Sequence, residues 1–384
     1  MKILQVSKFY PPVMGGIESV SYELTQGLNR RGLQTDVLCC NTARTTVREC
    51  GIVEGRVHSI TRAASFGRLL STSMAPALVV EALRVRSTYD VVHVQMPDPM
   101  AALALWLARP TGKVVLHWQS DVVKQKRALL LYVPIQRWLL QRADAIIATT
   151  PPYARSSPWL QPFGHKVEII PIGISDLSNT VSALRTEEIR QRFGGKKLIF
   201  SLGRMTYYKG FDVLIQAATL LPEESMIVVG GSGELLEVYR AEVRARGLEG
   251  KICFVGRIAD EDVASYFAAC SLFCLPSTVR AEAYGVVLLE AMVMGKPSVA
   301  TDIEGSGVPW VNQHGVTGLN VPVRNALALA EALNHLLNND SLAKQMGQSA
   351  RQRYDQHLTA DAMVSATADL YHRLMTAPTS GRNS

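Results

Sequence analysis

The chain has 384 residues, of which 47% are hydrophobic and 19% are charged. This composition excludes a disordered or fibrous protein, and the length suits two domains of about 150–200 residues each. The net charge of +7 is uneven: residues 1–175 carry 20 Lys and Arg against 11 Asp and Glu (+9), and residues 176–384 carry 20 against 22 (−2).

The basic first half is typical of a protein that meets an anionic acceptor or an anionic membrane surface. A nucleic-acid partner is not expected, because the sequence has no nucleic-acid-binding motif and no basic run with interleaved aromatic residues. No charge-free apolar run reaches the length of a transmembrane helix, and the N-terminal apolar run is too short for a signal peptide. The six cysteines form no paired C-x-x-C motifs, which favours reduced thiols in a cytoplasmic protein.

Short apolar runs alternate with helix-like segments, a pattern typical of parallel sheets covered by helices on both faces. In the first half the predicted strands, which surround a predicted helix at Ile17–Arg30, are Ile3–Val6, Thr35–Cys40, Val91–Val94, Val114–His117, Ala145–Thr149 and Val167–Ile170. In the second half, around a helix at Val213–Leu220, they are Leu198–Leu202, Ser225–Val229, Ile252–Val255, Leu272–Leu275 and Ser298–Ala300.

The strand–helix pattern restarts near residue 198, which predicts an α/β protein of two Rossmann-like, doubly wound domains. The predicted parts are a first domain over 1–175, a linker over 176–197, a second domain over 198–355, and a helix over 356–376 that packs back toward the first domain; residues 377–384 are expected to fray. Ligands of open parallel sheets bind outside the carboxyl ends of the strands. Two such sheets facing each other across a cleft would place the chemistry there.

The pair Gly15-Gly16 lies between the first predicted strand and the helix at Ile17. A glycine loop before a helix is an anion-binding arrangement, because backbone N–H groups and the helix dipole point at the ligand. A turn glycine pair is also common in a purely structural role, so this signal is weak alone.

Two cations follow the strand Leu198–Leu202, in the run Gly203-Arg204-Met-Thr-Tyr-Tyr-Lys209-Gly. Their place near the carboxyl end of a strand fits a diphosphate, which Arg binds bidentately and Lys binds as a point charge. A solvated loop with two ordinary cations is the alternative interpretation.

Glu282 and Glu290 are eight residues apart and flank a predicted helix start at Gly285-Val286. N–H groups at that helix start can bind phosphate, and the two carboxylates can then hold the hydroxyls of a sugar and of a ribose. A capping glutamate and a surface glutamate are the alternative, and the spacing alone does not decide between them.

His117 ends a predicted strand and is followed by Trp-Gln-Ser-Asp121. A histidine at the carboxyl end of a buried strand is expected at the ligand-binding edge of the sheet. A satisfied core histidine is an equally good interpretation. His93 ends another strand of this domain and is predicted to pack against the site without acting in it.

Together these segments resemble the retaining glycosyltransferases of the two-Rossmann-domain (GT-B) type, family 4, which include bacterial O-antigen, lipopolysaccharide-core and mannosyl transferases. The resemblance covers nearly the whole chain, through the Gly-Gly loop, GRMTYYKG, VGGSGE, FVGR, the E-x7-E segment, GKPSVATD and HGVTGLNVP. It implies a nucleotide-diphosphate sugar as donor and a role for each matching residue. The implied catalytic residues are His117 on the transferred sugar, Glu282 holding the donor sugar, and Arg204 and Lys209 on the diphosphate. The implied donor-binding residues are Gly15, Gly16, Gly203, Gly285 and Val286 near the phosphates, Glu290 on the ribose, and Gly256 and Arg257 near the base; Asp121 is expected on the acceptor side.

One segment departs from the family pattern. Many members carry Gly-Gly-x-x-Glu after the strand Ser298–Ala300, whereas this chain reads Glu304-Gly-Ser-Gly-Val-Pro-Trp-Val-Asn312. That variant resembles several bacterial polysaccharide mannosyltransferases, which slightly favours GDP-mannose over a UDP-sugar.

The motif segments contain no Asp-x-Asp pair, so neither an obligatory metal nor another cofactor is expected. Arg204, Lys209 and helix N–H groups would instead stabilise the leaving diphosphate. The resemblance implies front-face displacement with retention, in which the leaving phosphate helps to deprotonate the acceptor hydroxyl.

The acceptor, a saccharide that can be linked to undecaprenyl pyrophosphate, is expected to meet the basic first domain. The segment Val122–Arg142 mixes five cations with Leu, Tyr and Trp. A basic amphipathic helix can lie on an anionic membrane, which would make the protein peripheral at the inner face of the cell membrane. A domain helix with one buried face is the alternative.

Three other functions remain as alternatives. An epimerase or phosphorylase can share the architecture, but no pyridoxal-phosphate lysine signature is present. A nucleotide-sugar-binding module without catalysis is disfavoured by the complete set of motif residues. A dehydrogenase ranks last because no G-x-G-x-x-G follows the first strand.

Overall fold

A computed structural model of the chain describes residues 1–69, 72–121 and 126–377, without the side chains of 68–69 and 126–131. The chain divides into two compact units. The first unit comprises Met1–Gly173 and the residues from Ala360 onward, and the second comprises Ile174–Thr359. The tail 378–384, predicted to fray, and residues 122–125 of the predicted amphipathic segment lie outside the described residues.

The first unit alternates strands and helices in the order β1 Lys2–Ser7, α1 Gly16–Arg30, β2 Gln34–Cys40, β3 Val47–Val53, β4 Arg56–Ala63, β5 Arg68–Leu69, β6 Thr72–Ser73, α2 Pro76–Arg84, β7 Val91–Met96, α3 Pro99–Ala108, β8 Lys113–Trp118, α4 Lys126–Arg142, β9 Ala145–Ala148, α5 Pro151–Ser156 and β10 Val167–Ile169. The second unit contains α6 Ala183–Arg192, β11 Lys197–Leu202, α7 Phe211–Ala218, β12 Ser225–Gly230, α8 Leu236–Ala245, β13 Ile252–Gly256, α9 Asp260–Ala269, β14 Leu272–Leu275, α10 Val286–Val293, β15 Ser298–Asp302, α11 Val308–Val311, β16 Gly318–Pro322, α12 Ala326–Leu337 and α13 Asp340–His357. The last helix, α14 Ala360–Thr376, belongs to the first unit.

Both main sheets are built almost entirely from parallel strands. The first has the order β10-β9-β8-β7-β1-β2-β4-β3, and the second has the order β13-β12-β11-β14-β15-β16. The strand order reverses between β1 and β7 in the first sheet and between β11 and β14 in the second. Open α/β sheets bind ligands at such a reversal, outside the carboxyl ends of the strands.

The predicted α/β architecture and its buried parallel strands are confirmed. β7 is buried along its whole length, as expected for a strand covered on both faces. The hairpin β3–β4 was not predicted, because β3 is an exposed edge strand with charged residues and lacks a continuous apolar run. β16 was missed for a similar reason, since its run GLNVP is short and partly polar.

The segment 176–197, predicted as a linker, lies inside the second unit. Asp176 accepts a hydrogen bond of 2.6 Å from Arg351 of α13, and α6 packs against α9. Arg351 also binds Asp355, so one guanidinium joins both ends of the second unit's chain. No helix among the described residues is long and apolar enough to cross a membrane. All six cysteines are free.

α14 packs against α1 through a close contact at Gly27, a buried glycine in the last turn of α1. A Cβ atom at this position would lie 2.4 Å from Cγ2 and 2.9 Å from Cγ1 of Val364, a buried residue of α14. Both methyl groups sit on a β-branched side chain with a stiff χ1, so Val364 cannot easily move aside. The missing side chain at Gly27 therefore sets the distance between the two helices.

We expect Gly27→Ala to destabilise the first unit by about 1–2 kcal/mol, because overpacking of about 1–3 kcal/mol outweighs the gain of up to about 1 kcal/mol from replacing a helix-interior glycine. Differential scanning calorimetry of the intact chain measures the change. Gly250→Ala is the control, since a Cβ there meets nothing within 4 Å. Adding Val364→Ala to Gly27→Ala should recover part of the loss, and a higher melting temperature for Gly27→Ala alone would contradict the packing account.

Candidate active site

The predicted donor residues of the second unit gather where its strand order reverses. The loop after β11 carries Lys209, and the loop after β14 carries Glu282. Lys209 Nζ lies 2.5 Å from Glu282 Oε2, and each side chain is only about a tenth exposed, at 10% and 11%. Two segments 73 residues apart in the chain thus form one nearly buried ion pair.

The path of the backbone explains how Lys209 reaches this place. Tyr207–Lys209 form a 3₁₀ turn, which ends at Gly210 with φ +69°. A Cβ at Gly210 would lie 2.0 Å from the carbonyl oxygen of Pro276, so only glycine allows the two loops to approach this closely. The N–H of Thr278 donates to the Tyr208 carbonyl at 2.8 Å and joins the loops a second time.

Gly203 has a role that its place in the motif does not reveal. A Cβ there would lie 3.0 Å from Cε of Lys209, so the lysine stem packs directly on the glycine backbone. Glycine at this position leaves room for the stem and keeps Lys209 directed toward Glu282.

Gly285 and Glu290 belong to α10, as predicted. Gly285 is the N-cap with φ +79°, and α10 begins at Val286, so its first N–H groups lie just after the Glu282 loop. Glu290 as a whole is partly exposed, but its Oε2 atom is buried and has no hydrogen-bond partner among the described residues. Burial raises the pKa of Glu290 to about 7, and the nearby Lys209 opposes this rise. One cation therefore acts on both glutamates of the E-x7-E segment.

The remaining predicted donor residues lie on loops at the same edge of the second sheet. Arg204 is exposed, in the loop after β11. Gly256 ends β13 with φ +82°, and the exposed Arg257 follows it. None of these three residues forms a hydrogen bond or ion pair with Lys209 or Glu282 in the described part of the chain, so their donor roles remain predictions.

Two serines support Glu282, and the sequence reasoning missed both. Ser277 donates to Glu282 Oε2 at 2.9 Å, and Ser306 donates to the Glu282 carbonyl oxygen at 2.5 Å. Ser277 follows β14, so the carboxyl-end rule could have identified it. Ser306 lies in the segment Glu304–Asn312 that departs from the family pattern, and this departure had been interpreted only as a hint about the donor.

In the first unit, His117 is the second-to-last residue of β8, one residue before the strand ends, and it is fully buried. His93, predicted to end its strand, instead lies inside β7. Neither ring nitrogen has a hydrogen-bond partner among the described residues, and burial lowers the pKa of His117 to about 3. The imidazole of His93 lies against it, with ring centroids 5.4 Å apart. His117 is therefore neutral at physiological pH. It can donate a hydrogen bond to a hydroxyl group or accept one from it, but it cannot supply a positive charge.

Asp121 has structural contacts within the first unit. Its Oδ1 accepts hydrogen bonds of 2.8 Å from both Trp118 Nε1 and Ser157 Oγ, and its N–H donates to the Tyr153 hydroxyl at 2.6 Å. These contacts hold the loop after β8 to α5 and the turn that follows it. Its predicted acceptor-binding role remains a prediction.

Gly15 is the N-cap of α1 and Gly16 its first residue, and both are exposed. Gly15 has an extended backbone, and a Cβ there would lie 2.7 Å from the Glu18 carboxylate. A carboxylate already lies at this helix N-terminus, so a phosphate would have to compete with Glu18 for the same N–H groups.

The chain does contain an Asp-x-Asp pair outside the motif segments, Asp260-Glu-Asp262. It forms the first turn of α9, where acidic residues stabilise the helix dipole. Asp262 binds Arg185 of α6 through two hydrogen bonds of 3.1 Å. No group of three or more metal-binding side chains occurs in the part of the chain that the structure describes.

Comparison with known proteins gives the same assignment across the chain. The family model "Glycosyl transferases group 1" matches residues 185–353, and the model "Glycosyl transferase 4-like domain" matches residues 15–173. The O-antigen chain mannosyltransferase C of Escherichia coli is 33% identical and covers 98% of this chain and 99% of its own length. The D-rhamnosyltransferase WbpZ of Pseudomonas aeruginosa is 30% identical, over 94% of this chain and 93% of its own.

Solved structures share the fold over nearly the whole chain. The crystal structure of HepE from Anabaena, in complex with UDP, superposes with a TM-score of 0.75 at 20% identity, covering 97% of this chain and 100% of HepE. Two parallel-sheet α/β units, the matching family models and the two full-length relatives agree. The chain belongs to the glycosyl transferases of group 1, and it is a glycosyltransferase with the GT-B fold.

Proposed function

We propose that this protein transfers a hexose, with retention of anomeric configuration, from a nucleotide-diphosphate sugar to a saccharide acceptor in surface polysaccharide synthesis. The observation that carries the proposal is the buried Lys209–Glu282 ion pair at the strand-order reversal of the second sheet. It lies beside the N-terminus of α10 and the buried carboxylate of Glu290.

This arrangement suits the departure of a nucleoside diphosphate. An ammonium group has three donors, and Glu282 occupies one of those of Lys209, so the others can bind phosphate oxygens. A cation in a site that excludes water stabilises developing negative charge more strongly than it would in water. The first N–H groups of α10 supply further donors, with the positive end of the helix dipole behind them.

The two glutamates then form hydrogen bonds with different parts of the donor. Glu282 is fixed by Lys209 and Ser277 and can accept hydrogen bonds from sugar hydroxyls through its remaining lone pairs. Glu290 Oε2 is a buried acceptor with no partner among the described residues, which suits the ribose hydroxyls. In the first unit, the neutral His117 would contact the transferred sugar.

GDP-mannose is the donor that we propose, with a UDP-sugar as the alternative. One relative is named a mannosyltransferase and the other a D-rhamnosyltransferase, and D-rhamnose is the 6-deoxy form of D-mannose. HepE, which resembles this chain in fold alone, was solved with UDP, so the fold itself does not choose between the bases.

We propose that the acceptor is a saccharide, either free or carried on undecaprenyl pyrophosphate, and that it meets the basic first unit. In the described part of the segment 122–142, α4 buries Tyr132, Gln136, Leu139 and Leu140, as a domain helix does. α2 exposes Val80 and Leu83, and α3, which packs against α2, exposes Trp106 and Leu107, so these are the residues that we propose for contact with a membrane surface. Failure of the intact protein to co-sediment with anionic vesicles would count against membrane contact.

We expect the protein to bind and turn over one donor of a panel comprising GDP-mannose, UDP-glucose, UDP-galactose and the two common UDP-N-acetylhexosamines, with GDP-mannose preferred. Lys209→Ala should lower kcat/KM for that donor by about 10²–10³-fold, because it removes a buried cation from the leaving group. Glu282→Ala should weaken use of the donor as well, by removing the sugar contact. Isothermal titration and release of nucleoside diphosphate measure binding and turnover.

Lys251→Ala is the matched control, because Lys251 also pairs with a glutamate, the exposed Glu223, but precedes the amino end of β13 and does not follow the carboxyl end of a strand. Circular dichroism confirms that each variant is folded. Full activity of Lys209→Ala, or no binding of any donor by the folded native protein, would contradict the proposal.

Donor binding should weaken as the pH falls, because Glu290, with a pKa near 7, accepts hydrogen bonds from the ribose hydroxyls more strongly as a carboxylate than in its protonated form. For a group with pKa 7 that binds only when ionised, the Kd of GDP-mannose rises about tenfold between pH 8 and pH 6. The phosphates of a nucleotide-diphosphate sugar do not titrate in this range. Isothermal titration of native protein and Glu290→Gln provides the test, and an equal pH dependence in Glu290→Gln would rule out this assignment.

The product should keep the anomeric configuration of the donor, and turnover should survive removal of divalent metal ions. Lys209, Arg204 and the N–H groups of α10 supply the charge stabilisation that a metal would otherwise provide. NMR of the product reads the configuration from the one-bond C1–H1 coupling of the transferred sugar, and assays with and without EDTA measure the metal dependence. An inverted product, or activity lost in EDTA and restored by Mg²⁺, would overturn these parts of the proposal.

A further inference from the structure

Three buried rings in the first unit connect His117 to the C-terminal helix. The hydroxyl of Tyr371, on α14, lies 2.5 Å from Nδ1 of His93, on β7. The His93 ring is tilted by 55° against the His117 ring, with centroids 5.4 Å apart. All three side chains are fully buried.

The sheet register explains this arrangement. β7 and β8 pair in parallel, with Gln95 opposite His117 and His93 opposite Val115. Residues two apart in a strand share a face, so His93 and His117 point to the same side of the sheet. α14 lies on that side and supplies Tyr371, although it is more than 250 residues away in the chain.

His117 has few other means of fixing its ring. A functional imidazole is usually oriented by a hydrogen bond to its second nitrogen. Neither nitrogen of His117 has such a partner among the described residues. Its ring is therefore held by packing, and the His93 ring is the aromatic group in contact with it. His93 in turn is fixed by the Tyr371 hydroxyl.

We propose that His93 and Tyr371 are positioning residues for His117, so that the C-terminal helix sets the orientation of the histidine that contacts the transferred sugar. This inference rests on the proposed function, in which His117 contacts that sugar. Tyr371 fixes the His93 ring, and the His93 ring fixes the His117 ring.

The surroundings of the two histidines are neutral. The register places Gln5 of β1 beside His93 and Gln95 beside His117, and the third neighbour is the Tyr371 hydroxyl. Burial lowers the pKa of both imidazoles and raises that of Tyr371. Without a charge to orient the rings, their shape and the one hydrogen bond must do so.

The test compares Tyr371→Phe with Tyr354→Phe. Each removes one hydroxyl from a fully enclosed tyrosine, and the Tyr354 hydroxyl donates to the Ile174 carbonyl in the second unit, away from the histidines. We expect Tyr371→Phe to lower kcat for transfer about tenfold and to leave KM for the donor within about twofold, since misplacement of a group near the reacting atoms acts mainly on turnover. Tyr354→Phe should leave both values near those of the native protein.

A spectroscopic measurement separates positioning from loss of stability. In protein with ¹⁵N-labelled histidine, Tyr371→Phe should shift the ring nitrogens of His93 and of His117, and Tyr354→Phe should shift neither. His93→Phe keeps a ring against His117 but removes the nitrogen that contacts Tyr371. The double variant His93→Phe/Tyr371→Phe should be no slower than the slower single variant, because both act through one contact. If either single variant folds poorly, the double variant can be measured in its place, because it packs two apolar rings against each other.

Two outcomes would overturn the inference, and His117→Ala distinguishes them. If His117→Ala loses transfer but Tyr371→Phe and His93→Phe match Tyr354→Phe in kcat, the positioning role is wrong and the role of His117 stands. If His117→Ala transfers at the native rate, the proposed role of His117 fails, and the inference fails with it.

Discussion

The second unit depends on keeping one lysine and one glutamate charged while they are almost completely removed from water. Burying either charge alone would be strongly unfavourable, and a buried pair is tolerated only when its geometry is good and its other lone pairs and protons are satisfied. The Lys209–Glu282 pair meets this condition through a contact of 2.5 Å and a hydrogen bond from Ser277 to the same carboxylate oxygen. Ser306 holds the backbone of Glu282 in addition. Three segments, the loops after β11, β14 and β15, must therefore arrive together before the pair is stable.

Two glycines of this unit, Gly210 and Gly231, allow the loops around this ion pair to approach each other closely. Gly210 permits the Lys209 loop to touch the loop after β14, as its close contact to Pro276 shows. Gly231 does the same on the other side, because a Cβ there would lie 1.9 Å from the Gly203 carbonyl oxygen. The GRMTYYKG and VGGSGE motifs thus pack against each other through their backbones. Packing of the two loops is therefore enough to explain the glycines of both motifs. A phosphate can also approach the backbone closely where there is no side chain.

The sequence predicted the strands and the residues at their carboxyl ends well, because both follow from local rules. A continuous apolar run marks a buried parallel strand, and ligands collect where such strands end, so Lys209, Glu282 and His117 could be named as candidates in advance. Their roles, and that of Glu290 inside α10, came from the resemblance to a family. The contacts between these residues could not be predicted, since the pairing of Lys209 with Glu282 depends on the order of β11 and β14 in the sheet. Ser277 and Ser306 were not predicted, because a single serine belongs to no periodic sequence pattern. The edge hairpin β3–β4 was not predicted, because exposed strands lack the continuous apolar run by which buried strands are identified.

The two units differ in how they treat charge, and this difference fits the chemistry of glycosyl transfer. The second unit concentrates fixed charges at its site, which suits a leaving group that gains negative charge as its bond breaks. The first unit buries His93 and His117 among neutral side chains, and burial lowers the pKa of both imidazoles. A protonated imidazole beside the reacting carbon would repel the positive charge that develops there. A buried, uncharged ring avoids that repulsion and can still form a hydrogen bond with a sugar hydroxyl, so its position must be fixed by packing. In the proposed function, in which His117 contacts the transferred sugar, this requirement connects the C-terminal helix to the reaction through Tyr371 and His93.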